Sequence, residues 1–488
     1  MVSPVIAPVA TPVVFWFRRD LRLSDNPALL AALDAAQGRV AAVFVVDPGL
    51  AGGAGPVRRA YLGATLSSLD ESMGGALIVR RGEPARELTR LAREIGATRV
   101  VATGDFSPAG RRRDERVVSL LWAAGISLAF VDSPYVVRPG TLTTRAGTPC
   151  RVFTPFRHAW EREAVLAPAP VPAPQGVAWL RAPSRGIEAL AQLPARTPPS
   201  FFGALGEGVP DFDPRVGEAG AAATLEDFLG RVAHYDVRRD IPATEGTSRL
   251  SPHLHFGTVH PRQVLAAASL GATTSGLETF RSEVCWREFY ADVLFHHPWS
   301  AWRPLQSALA DLRVDRDARA VERFQTWARG ETGYPLVDAG MRQLLGEGWM
   351  HNRVRMACAS FLVKHLHLDW RWGARWFMWR LIDADVASNQ HGWQWVAGTG
   401  TDAAPFHRIF NPTRQALRFD PDGEYVRRYV RELAEVAAPQ CLEPGAGAGL
   451  FAPSGYPAPM VDLARERDEA LARWREARSV ATARTASA

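Results

Sequence analysis

The sequence predicts an α/β domain built on a doubly wound parallel sheet, followed by a larger all-α domain. Three observations carry this. Apolar runs alternate with amphipathic stretches from residue 13 to about residue 131. A segment rich in Pro, Gly and Ala follows at 167–214. From about Ala221 the pattern is helical, and eleven of the sixteen tryptophans fall between Trp286 and Trp395. The boundaries read as 12–140 for the α/β domain, 141–220 for an interdomain linker and 221–480 for the helical domain.

"VVFWF" (13–17) is the first buried strand. "SDNPALLAALDAAQG" is the helix after it, with Ser24 or Asp25 as cap, Pro27 in the first turn and Gly38 as stop. Strands are then expected at 40–46, 76–80, 99–103 and 126–131, separated by helices near 57–71, 84–95 and 108–124. That alternation makes a parallel sheet, which binds ligands at the carboxyl ends of its strands. Those ends carry Arg18, Asp20, Asp47, Gly82 and Asp105. Neither GxGxxG nor GxxxxGK[ST] occurs, so a conventional dinucleotide or P-loop site has no support.

The hydrophobic and charged fractions, 47% and 22%, are those of an ordinary globular protein. The formal charge of +6 permits a nucleic-acid partner without establishing one. Lys364 is the only lysine, so the positive charge is arginine, which grips phosphate bidentately; genome composition is the plainer reason for the bias. Cys150, Cys285, Cys358 and Cys441 are far apart and form no CxxC pair, which argues against a disulfide framework or zinc site and fits a reducing cytoplasm. "MVSPVIAPVATP" lacks a basic n-region and reads as a short arm, not a signal peptide. The most aromatic stretch, 361–382, holds Lys364, Asp369, Arg371, Arg375 and Arg380, which rules against a membrane span.

Four segments of the helical region concentrate chemistry. In the first (234–264), Thr247-Ser248-Arg249-Leu250-Ser251 offers hydroxyls and backbone N–H groups suited to a phosphate or pyrophosphate, although a helix-capping turn would look alike. In the second (283–298), Glu283 and Arg287, and Trp286 and Tyr290, are spaced i,i+4 on one helix; a surface ion pair with a core aromatic pair is the bland alternative. In the third (333–370), Asn352, Arg355 and Met356 fall on neighbouring faces of a helix, with Arg353 turned toward solvent or phosphate. The fourth opens "DADVASNQHGWQW" (383–395), where acids, a carboxamide and paired indoles share one short stretch. Indole fills a core at the cost of an N–H that wants a partner, so so many together suggest redox or stacking work, with Trp327, Trp349 and Trp376 read as core. His255, His260 and His391 lack metal-ligand companions and read as structural or substrate-edge residues.

Together "WFRRDLRLSDNPAL", "TSRLSPHL", "WREFY", "GWMHNRVRM" and "NQHGWQW…GTDAAPFHRIFNP" closely resemble the photolyase/cryptochrome family, specifically class I cyclobutane pyrimidine dimer photolyases. The likeness runs from about Val13 to Trp474 and is weakest in the linker and the tail.

The resemblance implies a helical domain that binds FAD. Tyr235 and Thr247, Ser248, Arg249, Leu250 and Ser251 would hold its phosphates. Glu283 and Arg287 would line the cavity near adenine and substrate. Arg355 and Asp383 would pair beside the isoalloxazine, Asp385 would accept from the flavin's pyrimidine edge, and Asn389 would face N5, where a carboxamide can donate or accept. Excited, fully reduced flavin would pass an electron to a pyrimidine dimer in UV-damaged DNA, and the electron would return after the ring opens. The dimer must leave the duplex, as photolyases are base flippers. Trp286 and Trp395 would form an aromatic wedge for it, with Asn352 and Met356 nearby. Arg239, Arg353 and Arg408 would contact flanking phosphates, making binding salt-dependent. Trp393 and Trp370 match the inner and middle members of the family's electron relay. The outer member is missing: Val314 stands where indole is expected, with Trp372, Trp379 or Trp327 as substitutes, so weak photoreduction with intact repair is expected.

"TGDFSPAGRRRD" (103–114) resembles the family's 8-hydroxy-5-deazaflavin antenna site, with Asp105 contacting the ring; methenyltetrahydrofolate or no antenna are the alternatives, and Arg111–Arg113 can also be read as a solvated helix face. A cryptochrome-type photoreceptor is disfavoured by the short tail after Trp474, and a (6-4) photolyase by the Asn-Arg-Val-Arg-Met context around His351. The expectation is a monomeric, cytoplasmic, metal-free enzyme.

Overall fold

The computed structural model describes residues 11–190, 198–206, 208–270, 273–306, 309, 312–401, 408–444 and 455–486; most of the N-terminal arm lies outside them. Five strands form one sheet: β1 (Val13–Phe17), β2 (Val40–Val46), β3 (Ile78–Arg81), β4 (Arg99–Ala102) and β5 (Ser127–Phe130). Their order is β3-β2-β1-β4-β5 and every pairing is parallel, with Val13 opposite both Val40 and Arg99. The order reverses beside β1, so the carboxyl ends of β1 and β4 open a crevice there.

The period-2 pattern of β1 explains the two faces. Val13, Phe15 and Phe17 pack with Leu29, Tyr61 and Leu66 on one side. Val14 and Trp16 pack with Leu88, Leu91 and Val117 on the other. Helices Pro27–Ala35, Pro56–Ser72, Pro84–Ile95 and Pro108–Ala123 each begin with proline, whose fixed φ suits the first turn. The first is capped by neither Ser24 nor Asp25. Asn26 Oδ1 accepts from Leu29 N at 3.1 Å, because Ser24 Oγ is spent on Glu218 and Asp25 holds Arg262 at 2.9 Å.

Helix Phe153–Val165 lies within the stretch expected as linker and packs on the 22-residue helix Ser275–His296. Its Trp160 Nε1 donates to buried Glu288 at 2.6 Å. The sheet domain meets the helical body at the end of β1: Leu21 N donates to Phe256 O at 3.2 Å. Gly257, at φ +71°, passes so near that a Cβ there would stand 1.9 Å from Arg19 O.

The helical body is centred on Trp327, Phe361 and Trp376. Helix Asn352–Ser360 runs into a π-helical turn, Phe361–His365, that buries Lys364; burial pushes its ammonium pKa down to about 7. All four cysteines are buried and unbridged. Among the described residues no helix is long and apolar enough to cross a membrane, and no cluster of His, Cys, Asp or Glu is placed to hold a metal ion.

Candidate functional site

Helix Val386–Ala397 is the hub. Helices Ser275–His296, Asn352–Ser360 and Trp370–Arg380 all pack on it. Asp385 caps its N-terminus, accepting from Ser388 N at 3.0 Å, a position favoured for a carboxylate by the free N–H groups and the helix dipole. Its other oxygen accepts from Arg19 Nη2 at 2.7 Å, so a sheet-domain side chain reaches the residue expected to serve the flavin. Burial alone would raise the Asp385 carboxyl. Arg19, Arg287 and His255 outweigh it and hold the group well below the usual carboxylate range. His255 Nδ1 is buried there without a hydrogen-bond partner among the described residues.

Arg355 and Asp383 form a two-pronged pair at 3.2 and 2.8 Å, and Arg355 Nε donates to Met350 O at 2.7 Å. The bidentate geometry fixes the guanidinium plane. Asn389 Nδ2 donates to Ala374 O at 3.1 Å and to Gln390 Oε1 at 2.8 Å. Trp393 lies against Gly373, where a Cβ would come within 2.0 Å of its ring.

The hydroxyl-rich turn precedes the short helix Ser251–Phe256. Arg249 holds φ +53°, a left-handed conformation costing about 1–2 kcal/mol in a residue with a Cβ. Its guanidinium lies 3.7 Å over the Trp349 ring and pairs with Glu347 at 3.4 Å. Ser248 Oγ accepts from Leu250 N, and Ser251 Oγ from Trp349 Nε1, both at 3.4 Å; Thr247 O accepts from Arg231 at 3.4 Å. Tyr235 is buried edge-on to Phe228 and Phe280, and burial pushes its phenol up.

On Ser275–His296, Glu283 and Arg287 do not pair with each other. Glu283 accepts from Arg239 at 2.7 Å. Arg287 donates to Pro134 O at 3.2 Å and Leu254 O at 3.0 Å, joining the post-sheet segment to the hydroxyl turn's helix. Trp286 stacks flat on Phe153, with centroids 3.7 Å apart, and tilts toward Tyr290 at 5.4 Å. Asn352 is exposed, and Met356 and Trp395 are half-buried. Arg408 stands 5.6 Å from the Trp395 ring. Arg353 does not extend freely to solvent: its Nε and Nη2 both donate to Asp240, at 3.2 and 2.6 Å, because the 235–240 turn carries a carboxylate to it. Arg19, Phe153 and Asp240 escaped sequence reasoning. Arg19 had a signal, since it lies between Arg18 and Asp20 at the end of β1; the other two had none.

Trp393, Trp327 and Trp372 are linked ring to ring, in part through phenylalanine. Trp393 meets Trp327 at 6.2 Å and Phe377 at 5.0 Å. Trp327 meets Phe324 at 5.6 Å; Phe324 meets Trp372 at 5.9 Å, and half-buried Trp372 stacks on Phe201 at 4.7 Å. Trp370 begins helix Trp370–Arg380 and is buried. Val314 sits beside the segment leading into it, since Asp315 N donates to His367 O at 2.9 Å.

In the sheet domain Asp105 is already engaged. It accepts from Ser107 N at 3.0 Å and from Arg113 Nη2 at 3.0 Å, and Gly110 passes so close that a Cβ would fall 2.1 Å from its Cγ. Burial opposes ionisation, but Arg113, Arg18 and Arg19 bring its carboxyl to about 2. Arg113 is therefore a buried partner of Asp105 and Asp114, not part of a solvated face.

A doubly wound sheet domain joined to an indole-rich helical body is the architecture of the photolyases and cryptochromes. The chain matches the family model described as DNA photolyase over residues 13–175 and that described as the FAD binding domain of DNA photolyase over residues 280–476. This protein belongs to the DNA photolyase family. It is 42% identical to a deoxyribodipyrimidine photo-lyase of Streptomyces griseus, covering 96% of this chain and 99% of that one, and 39% identical to that of Halobacterium salinarum, covering 95% and 99%. The crystal structure of a bacterial class III photolyase from Agrobacterium tumefaciens superposes with a TM-score of 0.87 at 36% identity, covering 98% of this chain and 100% of that one. A cryptochrome of Synechocystis gives 0.82 at 27% identity, covering 96% and 100%.

Proposed function

We propose that this protein repairs cyclobutane pyrimidine dimers in UV-damaged DNA with light, as a monomer in the cytoplasm. The observation that carries the reading is the hub helix: Asp385 and Asn389 stand near its start and Trp395 near its end, so one rigid element serves cofactor and lesion. When bound and fully reduced, FAD supplies the photoexcited electron that opens the cyclobutane ring. The residues suit FAD on physical grounds. A hydroxyl-rich turn with left-handed Arg249 offers donors for a pyrophosphate, and the orphaned His255 Nδ1 lies among Arg19, Arg287 and Asp385.

In this reading Tyr235 and Thr247–Ser251 hold the phosphates. The Arg355–Asp383 pair and Asp385 orient the ring system, and the Asn389 carboxamide stands at N5. Trp286, already flat against Phe153, and Trp395 present apolar faces to the extruded dimer; each base stacked so is worth roughly 1–3 kcal/mol. Asn352 and Met356 flank them, Glu283 and Arg287 close the cavity, and Arg239, Arg353 and Arg408 take the phosphates. The proposed antenna is 8-hydroxy-5-deazaflavin, with methenyltetrahydrofolate the alternative; Asp105 would have to exchange Arg113 for its ring. The (6-4) alternative is disfavoured, because His351 is 2% exposed, caps helix Asn352–Ser360 and is pushed by burial to about 4, unfit as a substrate-face acid.

The test is to incubate the chemically reduced protein with an oligonucleotide bearing one thymine dimer, in blue light and in darkness. Light-dependent recovery of thymines is expected. No recovery with FAD bound would shift the reading to (6-4) repair or photoreception.

A further inference from the structure

We infer that Asp240 is a built-in competitor for DNA phosphate, which weakens the hold on DNA and speeds release of the repaired strand. The inference rests on the DNA-repair reading above. Glu283, Arg239, Asp240 and Arg353 form a row of alternating charge that ends on the helix carrying Asn352 and Met356. Glu283 holds Arg239 at 2.7 Å, Asp240 lies 4.0 Å from Arg239 Nε, and Asp240 holds Arg353 at 2.6 Å.

The decisive feature is which edge of Arg353 is used. Guanidinium grips phosphate with two parallel N–H groups. In Arg353 the Nε and Nη2 edge is consumed by a single oxygen of Asp240, at 3.2 and 2.6 Å. Its Nη1 faces Met356 Sδ at 3.9 Å, and its plane lies 4.5 Å from the Phe419 ring centroid. Arg353 cannot take a phosphate on that edge without releasing Asp240. Asp240 is 35% exposed, so its freed carboxylate returns to water at small cost, and it re-forms the pair when the strand leaves. Such a competitor eases release, because the same phosphates contact the protein before and after the reaction, and it acts alongside the stacking that is lost when the dimer is repaired.

The test uses the full-length, FAD-loaded protein and a fluorescent duplex with one thymine dimer, beside its undamaged counterpart, in darkness. Binding is followed by anisotropy from about 50 to about 200 mM salt, and release by stopped flow. For Asp240→Asn, tighter binding to both duplexes by about tenfold, slower release, and a log–log salt slope steeper by about one are expected. Arg353→Gln alone weakens binding, and adding it to Asp240→Asn removes the gain. Asp240→Ser repeats the measurement without a carboxamide that could replace the carboxylate. If both Asp240 variants bind equally or more weakly with the slope unchanged, Asp240 only orients Arg353 and the inference fails while the repair reading stands. If the parent protein binds neither duplex, both fall.

Discussion

Arg19, two residues past the end of β1, donates to Asp385 at 2.7 Å across 366 residues of sequence. The side chains are 26% and 13% exposed. Arg19 Nε also donates to His255 O at 3.3 Å, so one guanidinium ties the sheet domain to both the hub helix and the hydroxyl turn's helix.

Removing that cation leaves a buried carboxylate short of its partner. Arg19→Gln is expected to destabilise the protein by about 2–4 kcal/mol in urea unfolding, while Arg19→Gln with Asp385→Asn costs less than the two changes summed. Strict additivity in the double-mutant cycle would show that the pair carries no coupling.

Gly373→Ala places a methyl where the Trp393 ring stands, within 2.0 Å. The ring or its helix must shift to admit it, so a loss of about 1–3 kcal/mol and a changed near-UV circular dichroism signal are expected. An unchanged spectrum with full stability would contradict this packing.

Burial pushes the imidazoles of His253, His351, His365 and His391 down to about 4. In the unfolded chain they titrate near 6.5, so between pH 6.5 and 4 the unfolded state binds more protons. Stability is full above that window and falls as pH drops through it, by up to about 1.4 kcal/mol per pH unit for each histidine. The urea midpoint should drop clearly from pH 7 to pH 5; a flat profile would mean that these rings are solvated.

Trp393 touches Trp327, whose aromatic neighbours lead to Trp372, whereas Val314 leaves Trp370 without the expected outer indole. Light-driven reduction of bound FAD is therefore expected to be weak, and to fall severalfold further in Trp327→Phe and in Trp372→Phe, with repair by chemically reduced protein within about twofold of the parent. Transient absorption of the tryptophan radical reads this directly. Fast reduction lost only in Trp370→Phe would place the route elsewhere.

Local patterns were legible where local forces decide. The unbroken apolar run "VVFWF", Pro27 in the first turn of its helix and the i,i+4 spacing of Trp286 and Tyr290 are short-range facts, and the structure follows them in buried β1, in helix Pro27–Ala35 and in the 5.4 Å contact of those two rings. The cap of the first helix was misplaced because Ser24 and Asp25 are claimed by Glu218 and Arg262, which no local rule can see.

By itself the sequence determined the fold class, the family and the segments that carry chemistry, since periodicity, turn residues and motifs are written in neighbouring positions. Only the tertiary structure decided the pairings: Arg19 with Asp385, Arg353 with Asp240 rather than solvent, Asp105 with Arg113, and Trp393 with Trp327. A charge or a ring leaves no mark in the sequence of what will face it. Its partner is chosen when packing removes water and each buried group must find the nearest complement.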